Sequence, residues 1–246
     1  MLKRFIQITT ISLLTFHTLN AKDTLVVTTD DWPPFRMTID NTYEGIDFDL
    51  WKELSKELDI KIDYKNYPWA RSLINMRNGS VDGMSGLAKK KERQEYIKYA
   101  STPYYSCSPV FYTKKGLGKK IKKYEDLENY LIGYVDNSAY FKRFDEDENL
   151  NKRAMIDEDS LLKMLSLGRL KVIIGTDCQA DYQIKQSGLK DKIEKTAYKP
   201  NSNIKLYIGI SRKSEFVNRM DEIDQALNKI VKNGKINTIV EKYYGK

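Results

Sequence analysis

VDGMSGLAKKKERQEYIKYASTPYY, residues 81–105, is the stretch whose reading decides the fold. It opens as an apolar strand over 81–87 and crosses the cationic run Lys89-Lys90-Lys91-Glu92-Arg93. It closes in an aromatic turn around Pro103. Ligands of open α/β sheets sit outside the carboxyl ends of the strands, so an Arg just past such an end suits capture of a small anion. Its planar, permanently charged guanidinium can grip a carboxylate through two parallel hydrogen bonds. The competing reading is a solvated basic helix start.

Working outward, residues 1–21 read as a targeting segment. Lys3 and Arg4 precede an apolar run over 5–16, and Ala21 is a plausible cleavage position. The run is too short to span a membrane. Cleavage leaves about 225 residues, enough for one large or two modest domains. A hydrophobic content of 41% with 31% charged residues predicts a globular fold. The net charge of +8 is spread among Asp and Glu rather than held in one block, which argues against a nucleic-acid partner. The only His, His17, lies in the targeting segment. A mature chain without His excludes Ser-His-Asp and Cys-His nucleophile systems and His-ligated metals, and no cofactor is expected. Cys107 and Cys178 could pair in an oxidising compartment, but their spacing leaves the question open.

The remaining chain alternates strand and helix patterns. A strand over 25–29 meets Asp30-Asp31-Trp32-Pro33-Pro34-Phe35, where the prolines bar helix. Ile46, Leu50, Leu54 and Leu58 line one face of a helix with Asp47 as candidate N-cap. A strand over 61–67 ends at Pro68, and Trp69 leads a short helix in which Arg71 reads as a surface charge, with a second anion contact as the alternative. Residues 106–113 and 204–211 read as extended crossovers. Between them lie strands over 131–135 and 171–175 and a helix over 157–168. The turn at 136–140 should lead directly into a helix, with Ser138 capping it or touching a ligand. The acidic run 145–148 reads as a solvated loop. Ser214 should cap a long amphipathic helix. SLINMRNGSVDGMSG (72–86) and LLKMLSLGRLKVIIG (161–175) echo each other as helix, Gly stop, strand, small residue, which fits two lobes of one design.

The opening stretch resembles the G-x-[VI]-D…T-x-x-R…[YF]-[ST]-x-P-[YF] segment of the periplasmic amino-acid-binding proteins of bacterial ABC transporters, solute-binding protein family 3. GIDFDL (45–50) resembles that family's G-[FY]-D-[IV]-D-L, to which a packing role is assigned. The resemblance runs from about residue 24 to the end. It implies an α/β type II periplasmic-binding-protein fold of two lobes joined by two crossover strands. Lobe 1 would comprise 22–110 and 205–246, and lobe 2 111–204. By position, Arg93 would hold the ligand carboxylate and Asp177 its amino group. Trp32 and Trp69 would stack on it, with Gly86, Ala88 and Ser138 offering backbone or hydroxyl groups. The chain departs from the pattern at Gly86, Ala88, Lys90 and Ala139, where hydroxyl-bearing residues are usual; this points to a bulkier or more apolar ligand or another small carboxylate.

The resemblance thus implies an exported monomeric receptor that delivers a small amino-acid-like ligand to the membrane subunits of an ABC importer. Two alternatives share the scaffold. One is a cyclohexadienyl dehydratase acting on prephenate-like substrates with Asp177 or Glu44 as proton donor. The other is a solute sensor acting in trans. The second catalytic domain of the cell-wall transglycosylases that carry this domain has no counterpart in the chain.

Overall fold

A computed structural model describes residues 23–245, so the expected targeting segment and its cleavage site lie outside the described residues. The structure is built on two sheets. The first has the order Lys61–Asn66 (β4), Thr24–Thr29 (β1), Gly83–Leu87 (β5), Ile204–Ser211 (β13) and Ile97–Tyr99 (β6), with Tyr105–Cys107 (β7) also paired to β13. The second has the order Lys152–Met155 (β10), Ile132–Val135 (β9), Val172–Thr176 (β11), Pro109–Lys114 (β8) and Ile193–Lys195 (β12). Met37–Ile39 (β2) and Thr42–Glu44 (β3) form a separate hairpin. In each sheet the strands fed by helical crossovers are parallel, and strands arriving from the other lobe join antiparallel.

The helices are Ile46–Leu58 (α1), Trp69–Asn78 (α2), Lys91–Gln94 (α3), Lys142–Glu146 (α4), Glu158–Ser166 (α5), Asp177–Gln186 (α6), Met220–Lys232 (α7) and Lys235–Tyr244 (α8). Helix α1 buries Ile46, Leu50, Trp51 and Leu54, the four-residue spacing of its sequence turned into one packed face. Strand β11, parallel to β9 and antiparallel to β8, is buried along its whole length, as expected for a central strand covered on both faces. The internal echo is real in three dimensions. Helix α2 stops at Gly79 (φ 79°) before β5, and α5 is followed by Gly168 (φ 74°) before β11. Both glycines adopt the left-handed conformation that ends a helix without a Cβ penalty.

The chain passes between the sheets at β7–β8 and again before β13. Where they pass, the two segments pair antiparallel, with Cys107 opposite Ile204, Ser106 opposite Lys205 and Tyr105 opposite Leu206. Cys107 and Cys178 are joined in a disulfide with Cα atoms 5.6 Å apart, fastening this crossing to the first turn of α6. From the far side, Tyr244 in α8 donates from its hydroxyl to the Cys178 carbonyl at 2.7 Å and meets Tyr182 edge-on.

Several local expectations change. Asp47 is not an N-cap: Gly45 holds that position, and Asp47 is buried inside the first turn. Helix α4 begins at Lys142 rather than at the turn after β9. Asp145 is not a solvated loop residue, since its carboxylate accepts from the Tyr140 backbone N–H at 3.1 Å and burial raises its pKa. Ser214 caps a short 3-10 turn, Glu215–Arg219, ahead of α7.

The disulfide closes a loop of 71 residues. Chain-entropy arguments put the constraint at about 4 kcal/mol for a loop of this size. Reduction, or a Cys107→Ser and Cys178→Ser double change, should lower stability in chemical denaturation by up to that amount; an unchanged midpoint would show that the crosslink does not restrain the unfolded chain.

Candidate ligand-binding site

Between the two sheets lies a cavity of about 310 Å³. Its first-lobe wall comes from the β1–β2 turn (Asp30, Asp31, Trp32, Arg36), the start of α2 (Trp69), the end of β5 (Gly86, Ala88) and α3 (Arg93). The facing wall comes from Ser138, Ala139 and Tyr140 after β9, from Ile156, Asp157 and Glu158 at the start of α5, and from Thr176 at the end of β11. Ile204 and Leu206 of the crossing strand also line it. Carboxyl ends of parallel strands therefore converge on it from both sides.

Arg93 is only 3% exposed. Its guanidinium lies 5.3 Å from the Trp69 ring centroid, donates to the Ala88 carbonyl at 3.1 Å, and reaches across to the Asn137 carbonyl of the other lobe. Among the described residues it has no carboxylate within ion-pair distance. The Trp69 indole N–H is likewise buried without a partner. A desolvated guanidinium with neutral partners on a cavity wall is held ready for an anion, because the full compensation of its charge is still missing.

Arg36 contrasts with it. Asp30 takes its Nε at 2.9 Å and Nη2 at 2.8 Å, and Asp47 takes its Nη1 at 2.5 Å. Asp47 also accepts from Tyr104 at 2.6 Å and Ser85 at 2.9 Å, so the GIDFDL segment carries a buried charge network rather than packing alone. Ser85 in turn accepts from the Trp51 indole at 3.2 Å. The guanidinium crosses directly over Gly86, where a Cβ would stand 2.3 Å from Arg36 Nη1; Gly86 also has φ 74°. The missing side chain at position 86 thus has a local reason.

Trp32 stacks on Phe35 with centroids 4.4 Å apart and has the Arg36 guanidinium 5.0 Å from its ring. Ser138 lines the cavity from a turn in which Asn137 is left-handed (φ 57°). Helix α4 starts four residues later, so Ser138 caps nothing there. The structure therefore brings Arg93, Trp32, Trp69, Gly86, Ala88 and Ser138 to one cavity. It does not bring Asp177. Strand β11 ends at Thr176, which lines the cavity, and Asp177 begins α6 one position later. Its carboxylate turns to the crossing and accepts from the Ser108 N–H at 2.8 Å, beside the disulfide.

The acids that do face the cavity are Asp30, Asp31, Asp157 and Glu158. Asp157 is the N-cap of α5 and accepts from Ser160 N–H at 2.8 Å. Burial lifts the Glu158 carboxyl to about 7, helped by the Asp30 carboxylate and opposed by the Trp32 side chain and Arg36. Burial also raises Asp30, although Arg36 pulls it down. None of these was singled out from the sequence. The available signals were an acidic pair opening the helix at 157–158 and acids flanking a cavity tryptophan.

The sequence pattern of the bacterial extracellular solute-binding proteins, family 3, matches residues 25–246. The chain belongs to that family. Among its relatives, the L-cystine-binding protein TcyJ of Bacillus subtilis is 25% identical over 82% of this chain and 76% of that protein. The putative ABC transporter arginine-binding protein 2 of Escherichia coli is 25% identical over 87% and 88%. Among solved structures, an ancestral arginine-binding protein bound to arginine superposes with a TM-score of 0.79 at 23% identity, over 91% of this chain and 99% of that one. The ancestral amino acid-binding protein AncCDT-1, a precursor of cyclohexadienyl dehydratase, gives 0.75 at 23% identity, over 89% and 94%. The fold is that of the type II periplasmic binding proteins, with two α/β lobes joined by two crossover strands.

The raised carboxyl of Glu158 has a consequence for stability. Its folded pKa lies above the ordinary value of 4.5, so the native state binds the extra proton and the contribution is lost as pH rises from about 4.5 through 7. Glu158→Gln should therefore be more stable than the parent above pH 7 and equal to it near pH 4. Thermal melts across that range check this; parallel curves would remove the assignment. Asp47→Ala strips a partner from a buried charge and should cost about 3–5 kcal/mol in denaturant unfolding; a loss below about 1 kcal/mol would show that the network is not needed.

Proposed function

We propose that this protein is an exported receptor that closes on an amino acid or a related small carboxylate and presents it to the membrane subunits of an ABC importer. The observation that carries this reading is Arg93, a buried guanidinium on the wall of an interlobe cavity, bonded to carbonyls of both lobes and with no carboxylate at ion-pair distance among the described residues. A ligand carboxylate there would complete its charge and add a contact between the lobes, which favours the closed arrangement selectively. Each charge-assisted bond contributes on the order of 1.5–3 kcal/mol. Micromolar binding needs about 8 kcal/mol, so the Trp32 and Trp69 faces have to supply much of the remainder.

Relatives named for binding cystine and arginine support the ligand class, and one is named as an ABC transporter component. The segment read as a signal peptide supports export to the periplasm, and no helix among the described residues is long and apolar enough to cross a membrane. Ligand delivery as a monomer is the working arrangement. We favour a receptor over a dehydratase because neither acid assigned to proton donation faces the cavity. Asp177 is turned to the crossing, and Glu44 is exposed on β3.

Screening amino acids and small carboxylates by thermal shift should identify stabilising ligands, and Arg93→Ala should abolish their effect. A full shift in that variant would exclude Arg93 as the carboxylate anchor. Incubation with prephenate should yield no phenylpyruvate; its formation would replace the receptor reading with an enzymatic one.

A further inference from the structure

The fold gathers in one place a positive charge that is dispersed along the sequence. Residues 114–123 (KKGLGKKIKK) run on from β8, and residues 190–199 contain β12. The two segments are bound to each other along their length. Ile193 pairs with Lys114, the Lys115 N–H donates to the Lys192 carbonyl at 2.9 Å, and the Ala197 and Tyr198 N–H groups donate to the Gly118 and Ile121 carbonyls. Together they hold ten of the 42 Lys and Arg but two of the 34 Asp and Glu, leaving 32 of each elsewhere. These segments therefore account for the whole net charge of +8, and the rest of the chain is balanced. The nearby acids are already engaged. Glu194 accepts from the Gly116 and Gly118 N–H groups at 2.8 and 2.7 Å, and Asp126 from those of Lys122 and Lys123. Glu125 pairs with Arg143, Asp191 with Lys115 and Asp181 with Lys195. Lys119, Lys120, Lys122, Lys123, Lys192 and Lys199 are exposed, and among the described residues none has a carboxylate within ion-pair distance. Like charges held together by the backbone repel one another, and an extended negative surface relieves that repulsion.

We propose that the lysine face built from 114–123 and 190–199 is a docking surface for an anionic phospholipid membrane. The inference goes beyond the receptor reading and does not depend on the ligand. Strand register places the face away from the cavity. Thr176, on the cavity wall, lies opposite Pro109, whereas Val172 lies opposite Thr113, at the Lys114 end of β8. Four strand steps put about 13 Å between the two ends. A membrane resting on the lysines therefore leaves the cavity wall uncovered. Lipid is favoured over a nucleic acid by what accompanies the charge. Tyr198, the one aromatic residue of the two segments, packs against Phe111 and Tyr124 rather than offering its ring to a base. An exposed apolar side chain stands at the margin instead: Leu167 is 57% exposed, and a Cβ on the adjacent Gly168 would lie 3.3 Å from Lys114 Nζ. A leucine beside lysines can enter the headgroup boundary while the ammonium groups stay with the phosphates. Reversible adsorption of this kind concentrates a protein at the membrane and shortens its search for a membrane-bound partner.

Vesicle sedimentation tests this. Phosphatidylcholine vesicles with about 30% phosphatidylglycerol should carry the protein down at about 50 mM salt, and pure phosphatidylcholine vesicles should not. Raising the salt to about 500 mM should lower the partition coefficient at least about tenfold. The combined change Lys119→Gln, Lys120→Gln, Lys122→Gln and Lys123→Gln should lower it at least about tenfold at low salt. Lys52→Gln, Lys61→Gln, Lys98→Gln and Lys232→Gln together remove the same charge from exposed positions of the first lobe and should lower it by less than about threefold. Equal losses in the two variants would reduce the effect to net charge and overturn the proposal, as would equal uptake by the two kinds of vesicle. Retention of a DNA duplex with no vesicle uptake would assign the face to a nucleic acid and overturn it too. Thermal melts matching the parent's confirm that the variants fold, and the lipid dependence of the unaltered protein decides the matter if they do not. None of these failures touches the receptor reading.

Discussion

Two strands pass between the sheets, and where they pass they are hydrogen-bonded to each other. That pairing of 105–107 with 204–206 fixes everything around it. It holds the two sheets with strand ends converging, so that a cavity forms between them, and it contributes Ile204 and Leu206 to the cavity wall. The disulfide from Cys107 to Cys178 and the Tyr244 bond to the Cys178 carbonyl reinforce the crossing from both sides. In the receptor reading, rotation about this short, well-fastened ribbon would let the lobes close on a ligand.

Charge in the cavity is handled in two ways. At Arg36 the protein satisfies a buried cation completely, with two carboxylates and a glycine opposite that leaves room for it. At Arg93 the cation has neutral partners, the Ala88 and Asn137 carbonyls and the Trp69 ring among them, and no carboxylate at ion-pair distance among the described residues. The first arrangement is architecture, since a fully compensated group gains little from a further anion. The second retains unmet demand, and binding sites depend on such demand being stabilised by the surrounding fold.

Most of the fold was legible because its signals are periodic. Apolar spacing marked α1, alternation and turn residues marked β1 and β4, and the echo of 72–86 in 161–175 anticipated the two-sheet design. Arg93 and the two tryptophans that line the cavity could be picked out because they sit beside local motifs. Asp177 stands one position past Thr176, which lines the cavity: a strand end and a helix start point their side chains to different sides, and which residue closes the strand is not written in composition. Arg36, Asp30 and Glu158 went unnoticed because their significance lies in what they face across 11 residues or across the lobes. Asp47 illustrates the same limit, since its partners Tyr104 and Ser85 are distant in sequence.

The distribution of indoles has a practical side. All three tryptophans belong to the first lobe: Trp32 and Trp69 on the cavity wall, Trp51 just behind it on the Ser85 hydroxyl. The second lobe carries none, although Trp69 packs against its core. If the lobes part as the receptor reading requires, intrinsic indole emission would report it from one side alone, without any attached dye.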